Sequence, residues 1–298
     1  MKQEARKAGI EAREQIELSN QLRCTLLIEL MLTKSDSWKN LFQINNIMKM
    51  VNPLLDCRKR IGKSTQKAIE GGGKSGTEER KQLLQRLNNL IKQKLTKVRL
   101  SSMPLSTPID TDAATNTIQE VMTEAKNSKE KEYQSCCSSS LIFLFRMMPS
   151  SPESISLAST EYGDIVLKWS TKRGSGASLL EDFISHMPAL AQASLHNALN
   201  RAAEDARKPI IKMEVFRLLS LLFGSKPNTE GASEMEKVSQ AKIHKAQDAL
   251  LKMINKTLSD EEMVKPKRAR CVFIAMEKIL PFISSPASNN ALDLLASI

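Results

Sequence analysis

The chain has 298 residues, 41% apolar and 26% charged, so it can bury a core and is too apolar for a disordered polymer. Aromatics are only 4% and there are 11 glycines; Leu, Ala, Lys, Glu, Gln and Met dominate and lean the chain to helix. The net charge of +11 is uneven: from Arg58 to Arg99 thirteen Lys or Arg face three acids (Glu70, Glu78, Glu79), a local +10 that points to a polyanion or an acidic protein segment.

The N-terminus has no apolar core of the kind a secretory signal carries, and it opens inside a charged helix, as the interior of a longer chain would. Residues 4–33 are predicted helical from Leu18, Leu22, Leu26, Glu29/Leu30 and Thr33, with Leu27 and Ile28 widening the stripe. Ser35-Asp36-Ser37 stops that helix and caps the next, about Trp38–Arg60, which Pro53 should kink. Residues 61–77 are expected to be a Gly/Ser/Lys linker. From Glu78 to Arg99 the Leu83, Leu84, Leu87, Leu90, Ile91, Leu95 and Val98 face predicts the cleanest amphipathic helix of the chain. A Ser/Pro loop follows, and Asp112 is placed to cap a helix over 113–127.

Residues 133–148 carry small Ser and Cys side chains, then the bulky run Leu141–Phe145. A helix apolar nearly all round belongs in a core. It is too short to span a bilayer, which needs roughly 20 apolar residues, and Arg146 interrupts it. Further helices are predicted over Glu153–Thr171, Leu179–Met187, Ala189–Arg207 and from Pro209 to Phe223, with Pro188 and Pro209 as openers. A linker over 224–233, a helix Glu234–Leu258, the connection SDEEMVKPKRAR, a helix Cys271–Ile283 and a short helix from about Asn290 complete the chain.

No stretch reads as a strand. The class is all-α, and helices in pairs of roughly 40 residues suggest a HEAT/armadillo-like helical repeat stack, an α-solenoid without a sheet. The expected organisation is an N-terminal helical pair (1–60), a linker (61–77), a central repeat core (78–223), a second linker (224–233) and C-terminal helices (234–298).

Signals for catalysis are weak. Gly62-Lys63-Ser64 and Gly73-Lys74-Ser75 approach a phosphate loop, but the Gly required five residues earlier is Cys57 or Ala68, and a helix precedes rather than a strand. Asp110-Thr111-Asp112 echoes a two-metal aspartate pair, yet it sits in a Ser/Pro loop at a helix start, where an Asx turn and cap is the simpler role. His186, His196 and His244 fall on different helices without a Cys or Glu at ligand spacing. Five cysteines (Cys24, Cys57, Cys136, Cys137, Cys271), odd in number and without CxxC, argue against a disulfide framework or zinc and fit a reducing compartment. No catalytic residue, metal site, cofactor, small-molecule substrate or membrane contact is expected.

The candidate binding residues are the basic block: Arg58, Lys59, Arg60, Lys63, Lys67, Lys74, Arg80, Lys81, Arg86, Lys92, Lys94, Lys97 and Arg99. Such clusters hold nucleic-acid backbone without reading sequence. With no aromatic residue among them, the block has no stacking platform for single strands. A charged helix face beside a solvated loop would look the same. Lys265, Lys267, Arg268 and Arg270 form a short basic motif of the nuclear-import type.

The stretches LLQRLNNLIKQKL, YQSCCSSSLIFLFR, YGDIVLKWSTKRGSGASLLEDFISHMP and ARKPIIKMEVFRLL, preceded by IELSNQLRCTLLIELMLTKS, resemble in pattern and order the C-terminal region of the Myb-binding protein/DNA polymerase phi family, over roughly residues 15–225. These are large nucleolar helical-repeat proteins. The resemblance implies a nuclear, largely nucleolar protein associated with ribosomal DNA transcription and ribosome assembly, without most of the family's N-terminal array and its acidic segment. The expectation is a non-enzymatic scaffold whose concave surface holds protein segments and whose residues 58–99 hold DNA or RNA phosphate or an acidic tail. The rivals are a pure protein–protein module and a nucleotidyl transferase built on Asp110 and Asp112.

Overall fold

Eleven helices and no strand make up the described residues of a computed structural model, which are 2–33, 44–71, 76–98, 108–149, 151–172, 176–206, 208–224, 234–259 and 265–282. The start of the predicted second helix (38–43), Lys74, Arg99, most of the 224–233 linker and the short helix from Asn290 lie outside them. Among the described residues no helix is long and apolar enough to cross a membrane. The chain divides into two compact units, Met1–Met148 and Pro149–Ile298. The division falls inside the predicted 78–223 core, at Pro149, because the helices on each side pack mainly among themselves.

The first unit holds α1 (Lys2–Thr33), α2 (Ile44–Glu70), α3 (Thr77–Asn89), α4 (Thr111–Asn127) and α5 (Lys131–Met147). The linker expected at 61–77 is helical up to Glu70. Ile61 and Thr65 continue the buried stripe of Ile47, Val51, Leu54 and Arg58, and that packing outweighs the Gly62-Lys63-Ser64 composition. Pro53 sits inside α2 on an exposed turn. Gly76, at φ 66, supplies the left-handed residue that starts α3. The expected straight helix to Arg99 instead passes from α3 into a π turn (Leu90–Lys94) and a 3-10 turn (Leu95–Lys97). Leu90, Ile91, Leu95 and Val98 are all buried there. Asp110, not Asp112, caps α4, its carboxylate accepting from the Ala113 N–H at 3.0 Å.

α5 is buried nearly all round, as its composition requires. Cys136, Cys137, Ser138 and Ser140 let neighbouring helices approach, while Leu141–Phe145 fill the core. It packs on α4, α2 and the end of α3. The exposed Arg146 turns back to donate to the Thr96 carbonyl at 3.1 Å. The α1 stripe is only partly used: Leu18 and Thr25 are buried, whereas Leu26, Leu27 and Leu30 are 39%, 59% and 47% exposed.

The second unit is ordered by alternation. Its helices are α6 (Pro152–Lys172), α7 (Ala177–His186), α8 (Pro188–Asp205), α9 (Pro209–Leu222), α10 (Glu234–Leu258) and α11 (Pro266–Ile279), which ends in a 3-10 turn to Phe282. α8 packs between α6 and α10, and α9 packs between α7 and α11. Two layers result, joined within each pair by α6–α7, α8–α9 and α10–α11 contacts. Tyr162 stacks on Phe183 (centroids 4.0 Å apart) between α6 and α7, and Phe223 meets Phe282 edge-on at 5.2 Å. Pro188 and Pro209 open α8 and α9 as predicted. Pro266 opens α11 five residues before the expected Cys271, so the import-type motif lies on the first turns of a helix and not in a connection.

Candidate nucleic-acid interface

The eleven described residues of the basic block have three different fates; Lys74 and Arg99 lie outside the described residues. Arg58 is 1% exposed and cannot reach a phosphate. Its Nη2 pairs with Glu130 Oε1 at 2.5 Å, its Nε donates to Asn88 Oδ1 at 2.9 Å, and its guanidinium lies 5.4 Å from the Tyr133 ring centroid. Burial alone would ease the proton off, but the Glu130 carboxylate outweighs it and holds the pKa above its ordinary value. Arg58 is therefore a structural clamp between α2, α3 and the start of α5, which removes it from the candidate interface.

Five more of the predicted residues are paired with carboxylates. Lys59 pairs with Glu124, which also accepts from the Tyr133 hydroxyl at 3.3 Å. The Lys59 ammonium holds the Glu124 carboxyl below the usual range. Arg80 meets Glu14 at 2.7 Å, Lys92 meets Glu132 at 3.0 Å, Lys81 meets Glu78 at 3.6 Å and Lys94 meets Glu29 at 3.7 Å. Apart from Glu78, these acids lie outside residues 58–99, on α1, α4 and α5. The +10 of the segment is thus partly cancelled in space by helices distant in sequence.

Arg60, Lys63, Lys67, Arg86 and Lys97 are exposed, and none forms an ion pair with a described residue. Arg60, Lys63 and Lys67 follow a three-then-four spacing, which places them on one face of α2 opposite Ile61 and Thr65. At 1.5 Å per residue the triplet extends about 10 Å along the helix. That is a ridge of three exposed cations, suited to phosphates and without a base-reading or stacking group. Sequence reasoning missed the Arg58–Asn88–Glu130–Tyr133 cluster. The only local signal was Arg58 falling in register with Val51, Leu54 and Ile61.

The other motifs gain no chemistry. Lys63 stands in mid-helix with Gly62 and Ser64, so no phosphate loop exists there. Asp110 is spent on its cap, and among the described residues no group of three His, Cys, Asp or Glu is placed to hold a metal. His186 donates from Nδ1 to the Asp182 carbonyl at 2.9 Å, and His244 is exposed on α10. Burial pushes the thiols of Cys136 and Cys137 up to about 11 and about 12, which leaves them unreactive. Lys265 occupies the N-cap of α11, and Lys267, Arg268 and Arg270 lie on its first turns, where the helix dipole disfavours cations.

No family model matches the chain, and neither the curated proteins nor the solved structures include a match to it.

Proposed function

We propose that the protein is a non-enzymatic helical scaffold of the nucleus and nucleolus, with helices paired as HEAT/armadillo-like repeats, that holds DNA or RNA backbone against the C-terminal half of α2. Its place in ribosomal DNA transcription and ribosome assembly follows from the resemblance of residues 15–225 to the Myb-binding protein/DNA polymerase phi family. The repeat reading draws support from the alternating layers of α6, α8, α10 and α7, α9, α11. The observation that carries the binding reading is the exposed ridge of Arg60, Lys63 and Lys67, none of which forms an ion pair with a described residue.

The test is binding of a short DNA duplex and of a single-stranded RNA across a salt series, with wild type and an Arg60→Ala/Lys63→Ala/Lys67→Ala variant. Each phosphate contact to duplex contributes about 0.9 to the slope of log K against log salt, so losing three should reduce it by about 2.7. Equal slopes would sink the reading.

A second reading, a protein-docking module, is favoured by an apolar groove of about 570 Å³ between α1, α2 and α3, lined by Ile16, Cys24, Ile28, Met50, Pro53 and Leu54 among others. A partner captured there at an affinity unaffected by the triple substitution would support it.

A further inference from the structure

The second unit carries a different kind of surface. Its middle helix α8 forms the floor of a groove of about 710 Å³, with α6 and α10 as the walls. The three helices come close because the residues between them are small. Gly163 of α6 faces Ala198 of α8, where an added Cβ would stand 4.0 Å from the alanine methyl. Ser159 donates to the Ser194 carbonyl at 3.2 Å, and Lys242 of α10 reaches the Ala193 carbonyl at 3.5 Å.

Three features of the lining point to a ligand. Arg201, Lys242 and Lys245 place three cations on the groove against a single acid, Asp164. Leu167, 48% exposed on the α6 wall, offers an apolar contact. His196 is only 3% exposed yet lines the groove. Its Nδ1 faces the Gln192 carbonyl at 2.8 Å, and a carbonyl only accepts, so the proton is on Nδ1. Nε2 then remains an acceptor with no hydrogen-bond partner among the described residues. Burial, reinforced by Lys242, favours that neutral form.

We infer that the α6–α8–α10 groove is a docking site for an acidic peptide segment of a protein partner. Carboxylates would meet Arg201, Lys242 and Lys245, a backbone N–H would donate to His196 Nε2, and an apolar side chain would cover Leu167. Asn197 and Thr160 add polar groups that match a peptide backbone. A nucleic acid fits less well: it presents phosphates, but the groove has no aromatic platform except the buried edge of His196 and is concave where the α2 ridge is open. The site is in the other unit from the α2 ridge and stands or falls without it.

The experiment uses the whole chain and a fluorescein-labelled peptide of about a dozen residues alternating Glu with Leu and Ala, read by anisotropy. The expected result is saturable binding at roughly 10–100 μM, weakened about tenfold or more when every Glu is replaced by Gln. Arg201→Glu combined with Lys245→Glu should cost at least about tenfold. Asn197→Trp fills the floor without changing charge and should do the same. Lys252→Glu, on α10 but outside the groove lining, should bind as wild type. All substituted positions are exposed, and far-UV circular dichroism checks that each variant keeps its helices. The inference is overturned if the Glu peptide fails to saturate below about 1 mM, if the Gln peptide binds equally, or if the groove variants match Lys252→Glu. It is also overturned if an oligothymidylate binds the wild type and loses that binding in the groove variants.

Discussion

Arg58 and Lys59 sit directly before Arg60, Lys63 and Lys67 on one helix, yet the two groups have opposite surroundings. Arg58 falls in register with Val51, Leu54, Ile61 and Thr65 and is driven into the unit, where Glu130, Asn88 and Tyr133 receive it. Lys59, at the edge of that face, stays within reach of Glu124. Arg60, Lys63 and Lys67 are exposed and form no ion pair with a described residue, although Lys63, one turn beyond Lys59, still acts on Glu124 through its charge. One turn of a helix thus separates a structural guanidinium from candidate ligand contacts. Charge summed along a sequence measures neither; the angle around the helix axis sends Arg58 inward and leaves Arg60, Lys63 and Lys67 exposed.

The largest expected effect that probes this contrast is on Arg58. Arg58→Ala removes the guanidinium from Asn88, Tyr133 and Glu130 and opens a buried cavity, and should cost about 3 kcal/mol, measured by chemical denaturation. Glu130 is 53% exposed and can rehydrate, which keeps the loss from being larger. Arg58→Met retains the volume and should cost about 1 kcal/mol. A loss below 0.5 kcal/mol for Arg58→Ala, about that of a surface change, would erase the distinction between the two groups.

The same variant should change cysteine chemistry. Cys136 Sγ donates to Asn88 Oδ1 at 3.3 Å, the atom that also accepts from Arg58. In the native wild type, a thiol reagent should label the exposed Cys24 and leave Cys136 and Cys137 unmodified. Arg58→Ala should raise the labelling of Cys136, read by mass spectrometry of the digested protein. Unchanged protection would show that Arg58 is dispensable for closing the cluster.

A smaller effect belongs to Lys59. Glu124 titrates below its ordinary value in the folded state because Lys59 holds it ionised. That contribution is present above the unfolded glutamate pKa and is lost as pH falls through the lowered folded value. Lys59→Met should therefore flatten the acid limb of stability against pH, with a cost at neutral pH of at most about 1 kcal/mol for so exposed a pair. The smallest stability effect is expected on the ridge: Arg60→Ala, Lys63→Ala and Lys67→Ala should each stay within about 0.5 kcal/mol of wild type.

Much of the helical framework was legible. Pro188 and Pro209 mark starts because proline lacks only an N–H that has no helical partner there, and the all-round apolar α5 could only be core. The misreadings have local causes. Gly62-Lys63-Ser64 looks like linker, but the buried stripe of α2 continues beneath it. Two aspartates two residues apart made the α4 cap ambiguous, and Asp110 takes it. The π turn at Leu90–Lys94 leaves no compositional trace. The spacing of Leu18, Leu22, Leu26 and Leu30 predicts the α1 helix, but spacing does not tell how much partner surface is present, and Leu26 and Leu30 stay exposed. The candidate site was half legible: the cations were all visible, while Glu14, Glu29, Glu124, Glu130 and Glu132, which pair with five of them, are brought in by tertiary contacts.

The central claim is that the unpaired ridge, and not the paired part of the block, meets phosphate. It is tested most directly by comparing two triple variants in the same duplex-binding salt series: Arg60→Ala/Lys63→Ala/Lys67→Ala and Lys59→Ala/Lys92→Ala/Lys94→Ala. Each removes three positive charges from the same segment. The account predicts a slope reduced by about 2.7 for the first and by less than about 0.5 for the second. Equal reductions would show that the duplex responds only to net charge, and would contradict it.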